Sequence, residues 1–130
     1  MARQSACGIT GTKSAGDAYD EIVRGLDAVA ELTGARPRWF RPGTAWADDV
    51  GIAIARRIGV EVVSFSINAD AGATASKAEI VANLKKARRR DVTLAHFNQP
   101  GGKTAEGLAA ALPRMLRDGR HFGTLSMNIE

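Results

Sequence analysis

One cysteine, two histidines, one tyrosine and four prolines are all that the 130 residues carry of these types, and aromatics make up only 5%. A single thiol, Cys7, excludes an internal disulfide and any cysteine-based zinc cluster. Histidines as far apart as His96 and His121, with no His-x-x-x-His, make no recognisable zinc site. No apolar run approaches the length of a membrane span, so no membrane partner is expected. The N-terminal "MARQSACGITGTKSAG" has no apolar core of the signal-peptide kind, and the chain as written is expected in the cytoplasm. Gly-x-Ser-x-Gly, the nucleophile turn of one large class of serine hydrolases, is missing too.

What is present suits a globular domain: 45% hydrophobic and 25% charged residues, in a chain long enough to bury a core. The net charge of +4 would suit an anionic partner, but the basic residues cluster in "KKARRRD", Lys85 to Asp91. That run falls where a helix should end, and cations there complement the negative end of the helix dipole. No aromatic platforms are interleaved with it, so the reading is a solvated helix end and no nucleic-acid partner.

Four helix patterns alternate with four short strand patterns. Ile22, Leu26 and Val29 share a face of a helix from near Asp17 to Gly34, leaving residues 1–16 as a flexible N-terminal segment. "RWF", Arg38 to Phe40, reads as a strand. Ala47, Val50, Ile54 and Ile58 form the next stripe, with Asp48 and Asp49 in its first turn and Gly59 at its end. "VEVVSFSI", Val60 to Ile67, is the clearest strand. Ser76 and Glu79 make a capping box before Ile80, Leu84 and Ala87. "VTLA", Val92 to Ala95, is a third strand. Thr104 can cap a helix that turns Leu108, Leu112, Met115 and Leu116 inward, with Pro113 kinking or splitting it. "FGTLS", Phe122 to Ser126, closes the series as a strand. The alternation implies an α/β fold with a parallel sheet, part of a β/α barrel rather than a whole one.

In such folds ligands meet the loops that follow the strands. Three candidates stand there: Arg41 after the first strand, Asp70 after the second and His96 after the third. Gly102-Lys103-Thr104 matches the end of a phosphate loop, but its first glycine is replaced by Phe97 and Pro100 has no amide to offer. The turn instead delivers Thr104 to a helix N-terminus, a place that attracts carboxylates and other anions.

At these loops the sequence resembles the polysaccharide deacetylase family, the NodB-homology domain of carbohydrate esterases, from about Asp17 to the C-terminus. "GARPRWFRPGTAW" looks like its arginine motif, "VEVVSFSINADAG" like its next strand and aspartate loop, and "VTLAHFNQPGGKTAEGLAAALPRMLRDGRHFGTLS" like its Leu-x-x-His-type end. The resemblance implies a distorted β/α barrel, a divalent metal (Zn, Co or Mn), and removal of acetyl groups from N-acetylated saccharides or related amides. It makes His96 the general acid for the leaving amine, a task that imidazole suits. It makes Arg41 the group that orients a catalytic aspartate, and Asp70 the group that positions His96. Leu94 and Trp46 would contact substrate.

Two of the family's motifs have no counterpart. Thr-Phe-Asp-Asp-Gly, which supplies the base and a metal-binding aspartate, and His-[Ser/Thr]-x-x-His, which supplies two ligands, do not occur. The expectation is a truncated deacetylase-like protein, residues 17–130, that binds no metal alone and lacks the parts for catalysis. The alternative is a non-catalytic binding or assembly module that self-associates or pairs with a separate N-terminal half.

Overall fold

A computed structural model describes residues 14–43 and 47–129 and divides the chain into two compact units, residues 1–64 and 65–130. Each is organised around one strand–helix–strand segment.

In the first unit, α1 runs Ala15–Thr33, opened by a reciprocal Ser14–Asp17 capping box and stopped by Gly34 in the left-handed conformation. β1 (Trp39–Phe40) leads to α2 (Asp49–Ile58), capped by the Asp48 side chain and ended by Gly59, and then to β2 (Glu61–Val62), parallel to β1. Ile22, Leu26, Ala55 and Val60 form the core, with Phe40, Ile54 and Ile58 against it. Val29 and Val50, expected inside, are 43% and 51% exposed. The small residues Gly51 and Ala55 take the buried side of α2 instead.

The second unit begins with β3 (Ile67–Asn68), followed by α3 (Lys77–Lys85) and β4 (Thr93–Leu94), again parallel. Ser76 and Glu79 form the expected capping box. At its other end, Arg120 donates to the Lys85 and Ala87 carbonyls, so part of the basic cluster's backbone is capped by a cation from later in the chain. The long α4 (Thr104–Arg117) packs on α3 through Ile80, Leu84, Ala111 and Met115. Pro113 does not split α4: it and Ala109 are both exposed, so the carbonyl that loses its donor is open to water. Leu116, expected inward, is exposed as well.

Three expectations need correction. "VEVVSFSI" is two strands, β2 and β3, one in each unit, because its halves pair with different partners. "FGTLS" is no strand: after residues 121–124 the chain forms a short helix, α5 (Leu125–Ile129). Helical backbone satisfies its own hydrogen bonds, whereas a strand there would need a neighbouring strand. Thr104 is the first helical residue of α4, not its cap; Lys103 holds the cap position and makes no side-chain cap bond. The parallel β/α plan stands, with five helices and four two-residue strands among the described residues. No described helix is long and apolar enough to cross a membrane.

Candidate functional site

Asp70 stands two residues after the end of β3 and is wholly buried, one of the largest fully enclosed side chains among the described residues. A carboxylate can be buried only if donors replace the water it loses. Here the chain supplies them from three segments. The His96 amide donates to Oδ2 at 2.7 Å, and the Thr104 hydroxyl donates to the same oxygen at 2.8 Å. Nδ1 of His96 lies 2.8 Å from Oδ1, and the Ala73 amide adds a fourth bond.

The local backbone is shaped for this. Asn68 Oδ1 accepts from the Ala71 amide, and the Asp70 carbonyl accepts from Ala75, so the chain coils tightly after β3. Ala71, Gly72 and Ala73 all have positive φ, which is costly for alanine and is imposed by the loop around the carboxylate. Asn83 of α3 ties the Ala69 carbonyl from the other side.

Burial acts first on Asp70 and would raise its pKa, but the hydrogen bonds from His96, Thr104 and Ala73 together hold it down at about 2. Asp70 is therefore ionised at neutral pH and can only accept, so the shared proton of the Asp70–His96 pair sits on Nδ1. The His96 side chain is 36% exposed, and among the described residues its ring has no other hydrogen-bond partner. Nε2 is thus the nitrogen left for chemistry.

A depressed carboxylate makes stability depend on acid in a defined direction. The Asp70 contribution is complete above its unfolded pKa of 3.8 and is lost as pH falls toward the folded value of about 2. Urea titrations of wild type and Asp70→Asn should show a stability gap that shrinks by about 2 kcal/mol between pH 5 and pH 2. A gap that stays constant over that range would contradict the ionised, hydrogen-bonded Asp70.

The other sequence candidates fall as follows. Arg41 lies in the first unit, is exposed, and places Nη1 3.4 Å from the Pro42 carbonyl. Leu94 is half-buried in β4, paired with Asn68. Trp46 lies outside the described residues, as does Cys7. His121 is exposed. Thr104 is the residue that sequence reasoning placed well but read wrongly, since its hydroxyl serves Asp70 and not the helix end. Among the described residues no three His, Cys, Asp or Glu side chains come together as metal ligands. Asp70, with both oxygens already taken by donors, does not fit a metal site, so no metal step can be assigned to this pair.

Neither the known protein-family models nor the curated protein sequences give a match. Solved structures do. A CE4 family pseudoenzyme from Bacillus anthracis is similar at TM-score 0.80 and 17% identity, over 92% of this chain and 42% of that one. The peptidoglycan deacetylase PdaC from Bacillus subtilis is similar at TM-score 0.74 and 17% identity, over 94% and 58%. The Bc1960 peptidoglycan N-acetylglucosamine deacetylase is similar at TM-score 0.75 and 23% identity, over 86% and 54%. The chain therefore has the fold of part of a CE4-type, NodB-like deacetylase domain. It spans about half the length of the structures it matches.

Proposed function

We propose that this chain carries the proton-donating side of a CE4-type N-deacetylase site and lacks the means to complete the reaction by itself. The carrying observation is the Asp70–His96 pair, 2.8 Å apart after two parallel strands, in a fold similar to peptidoglycan deacetylases. In this reading His96, with Nδ1–H held by the Asp70 carboxylate, passes the proton on Nε2 to the departing amine of an N-acetylated saccharide. Arg41 would orient the aspartate base of a complementing half, and Leu94 and Trp46 would contact the acetyl group and sugar. General acid catalysis contributes about 10²–10⁴-fold, far short of what amide hydrolysis needs at neutral pH.

The pseudoenzyme among the similar structures supports a second reading, a binding or assembly module without turnover that self-associates or joins a separate half. One assay addresses both. Purified protein with Zn, Co or Mn should release no acetate from chitooligosaccharides or peptidoglycan fragments. Release on adding a chain that carries the two missing motifs, abolished by His96→Ala, would establish the first reading. Release by this chain alone would overturn both.

A further inference from the structure

The Gly102-Lys103-Thr104 turn takes no part in the reaction proposed above, yet it reaches into the centre of the second unit. Thr104 is 5% exposed, and its hydroxyl meets Asp70 across 34 residues of chain. Gly102 lies so close to the Asp70 loop that a Cβ there would sit 2.7 Å from the Ala73 carbonyl oxygen. Ala73 is itself one of the donors to Asp70. The glycine thus permits the approach and the threonine uses it.

We infer that Thr104 is a positioning residue, whose hydroxyl fixes the plane of the Asp70 carboxylate so that Oδ1 faces His96 Nδ1 and holds the imidazole in one tautomer. Oδ2 receives two donors from different elements, the His96 amide after β4 and the Thr104 hydroxyl in the first turn of α4. With both in place, rotating the carboxylate about its Cβ–Cγ bond breaks two hydrogen bonds at once. Without the hydroxyl, Oδ2 keeps only the His96 amide of these two donors, the carboxylate turns more readily, and Oδ1 loses its aim. The N-terminus of α4, which Thr104 begins, also places the positive end of a fourteen-residue helix at the carboxylate. Lys103 does not compete for this role, because its ammonium pairs with Glu106 at 2.6 Å.

The inference gives the reading of His96 as an acid its structural support, but its test needs no turnover. The ring nitrogens are read by nitrogen-15 NMR on the whole chain, with His121→Gln identifying the second of the two histidines. Wild-type His96 should carry a proton on Nδ1, with slow exchange against water. Thr104→Val, which keeps the shape and removes the hydroxyl, should speed that exchange about tenfold or abolish the signal, while Thr104→Ser should keep it. A wild-type ring protonated on Nε2 but not on Nδ1, an unchanged Nδ1–H signal in Thr104→Val, or its loss in Thr104→Ser would each overturn the proposal. If the valine variant does not fold, the wild-type and serine results still decide. Failure of the acetate assay leaves this outcome untouched, and the reverse holds too.

Discussion

Asp70→Ala should destabilise the second unit by about 3–5 kcal/mol, the usual cost of removing one member of a buried charged cluster. The loss is not that of one ion pair. Four donors converge on the carboxylate, and an alanine leaves the His96 amide, the Ala73 amide and the Thr104 hydroxyl facing the space that the buried carboxylate filled. Each unsatisfied buried group typically costs about 1–3 kcal/mol. Asp70→Asn keeps the volume and one acceptor, so its effect should be smaller. It also turns one set of N–H groups toward donors, and His96 can relieve the conflict by moving its proton to Nε2. Urea unfolding followed by far-ultraviolet circular dichroism is the suitable measurement, because residues 65–130 contain no tryptophan. A change in Asp70→Ala smaller than about 0.5 kcal/mol, the range of ordinary surface substitutions, would remove Asp70 from its structural role.

Gly107→Ala is the second large effect, and its sign runs against helix propensity. In an exposed helix this change gains about 1 kcal/mol. Gly107, however, is buried on the side of α4 that meets α3, and an added Cβ would lie 2.4 Å from Ile80 Cγ2 and 2.6 Å from Ile80 Cβ. Ile80 is fully buried and β-branched, and its Cβ is fixed to the α3 backbone, so rotating the side chain cannot clear the clash. The helices must part, and overpacking of this kind costs about 1–3 kcal/mol, with larger values where backbone moves. The net expectation is destabilisation by about 1–2 kcal/mol. Ile80→Ala alone should cost about 2–5 kcal/mol through the cavity it leaves. Together the two changes should be less damaging than their sum, because the alanine at 80 removes the Cγ2 and Cδ1 atoms in the way. Additive effects, or a stabilising Gly107→Ala, would show that α3 and α4 do not approach this closely.

Helix ends were the most legible part of the sequence. Ser76 with Glu79, Gly34 and Gly59 each announce a local hydrogen-bonding or backbone need, and each does that job, while Asp48, read as a first-turn residue, is the cap of α2. Local needs are written in neighbouring residues. Strands were less legible because pairing is set by distant partners: nothing within "VEVVSFSI" says that Glu61–Val62 belongs with Trp39–Phe40 and Ile67–Asn68 with Thr93–Leu94. The helix faces of Val29, Val50 and Leu116 misled for a similar reason, since periodicity marks an apolar side without saying which part of it a neighbour covers. At the site, Asp70 and His96 were legible from their place after strands. The turn chemistry of Gly102 and Thr104 was visible as a motif but not in its purpose. A phosphate loop and a seat for the chain's own carboxylate use the same means, a close backbone approach and a helix N-terminus. Only the partner differs, and here that partner lies 34 residues earlier.

Two of the four donors that seat Asp70 are main-chain amides, from Ala73 and His96. Any residue but proline supplies such a donor, so the amide at 96 serves the seat whatever side chain it carries, while the positive φ at Ala73 favours a small residue there. The chain can therefore exchange the chemistry of the site without dismantling its frame. Replacing the imidazole would leave the carboxylate held at Oδ2 by the amide of residue 96 and by the Thr104 hydroxyl.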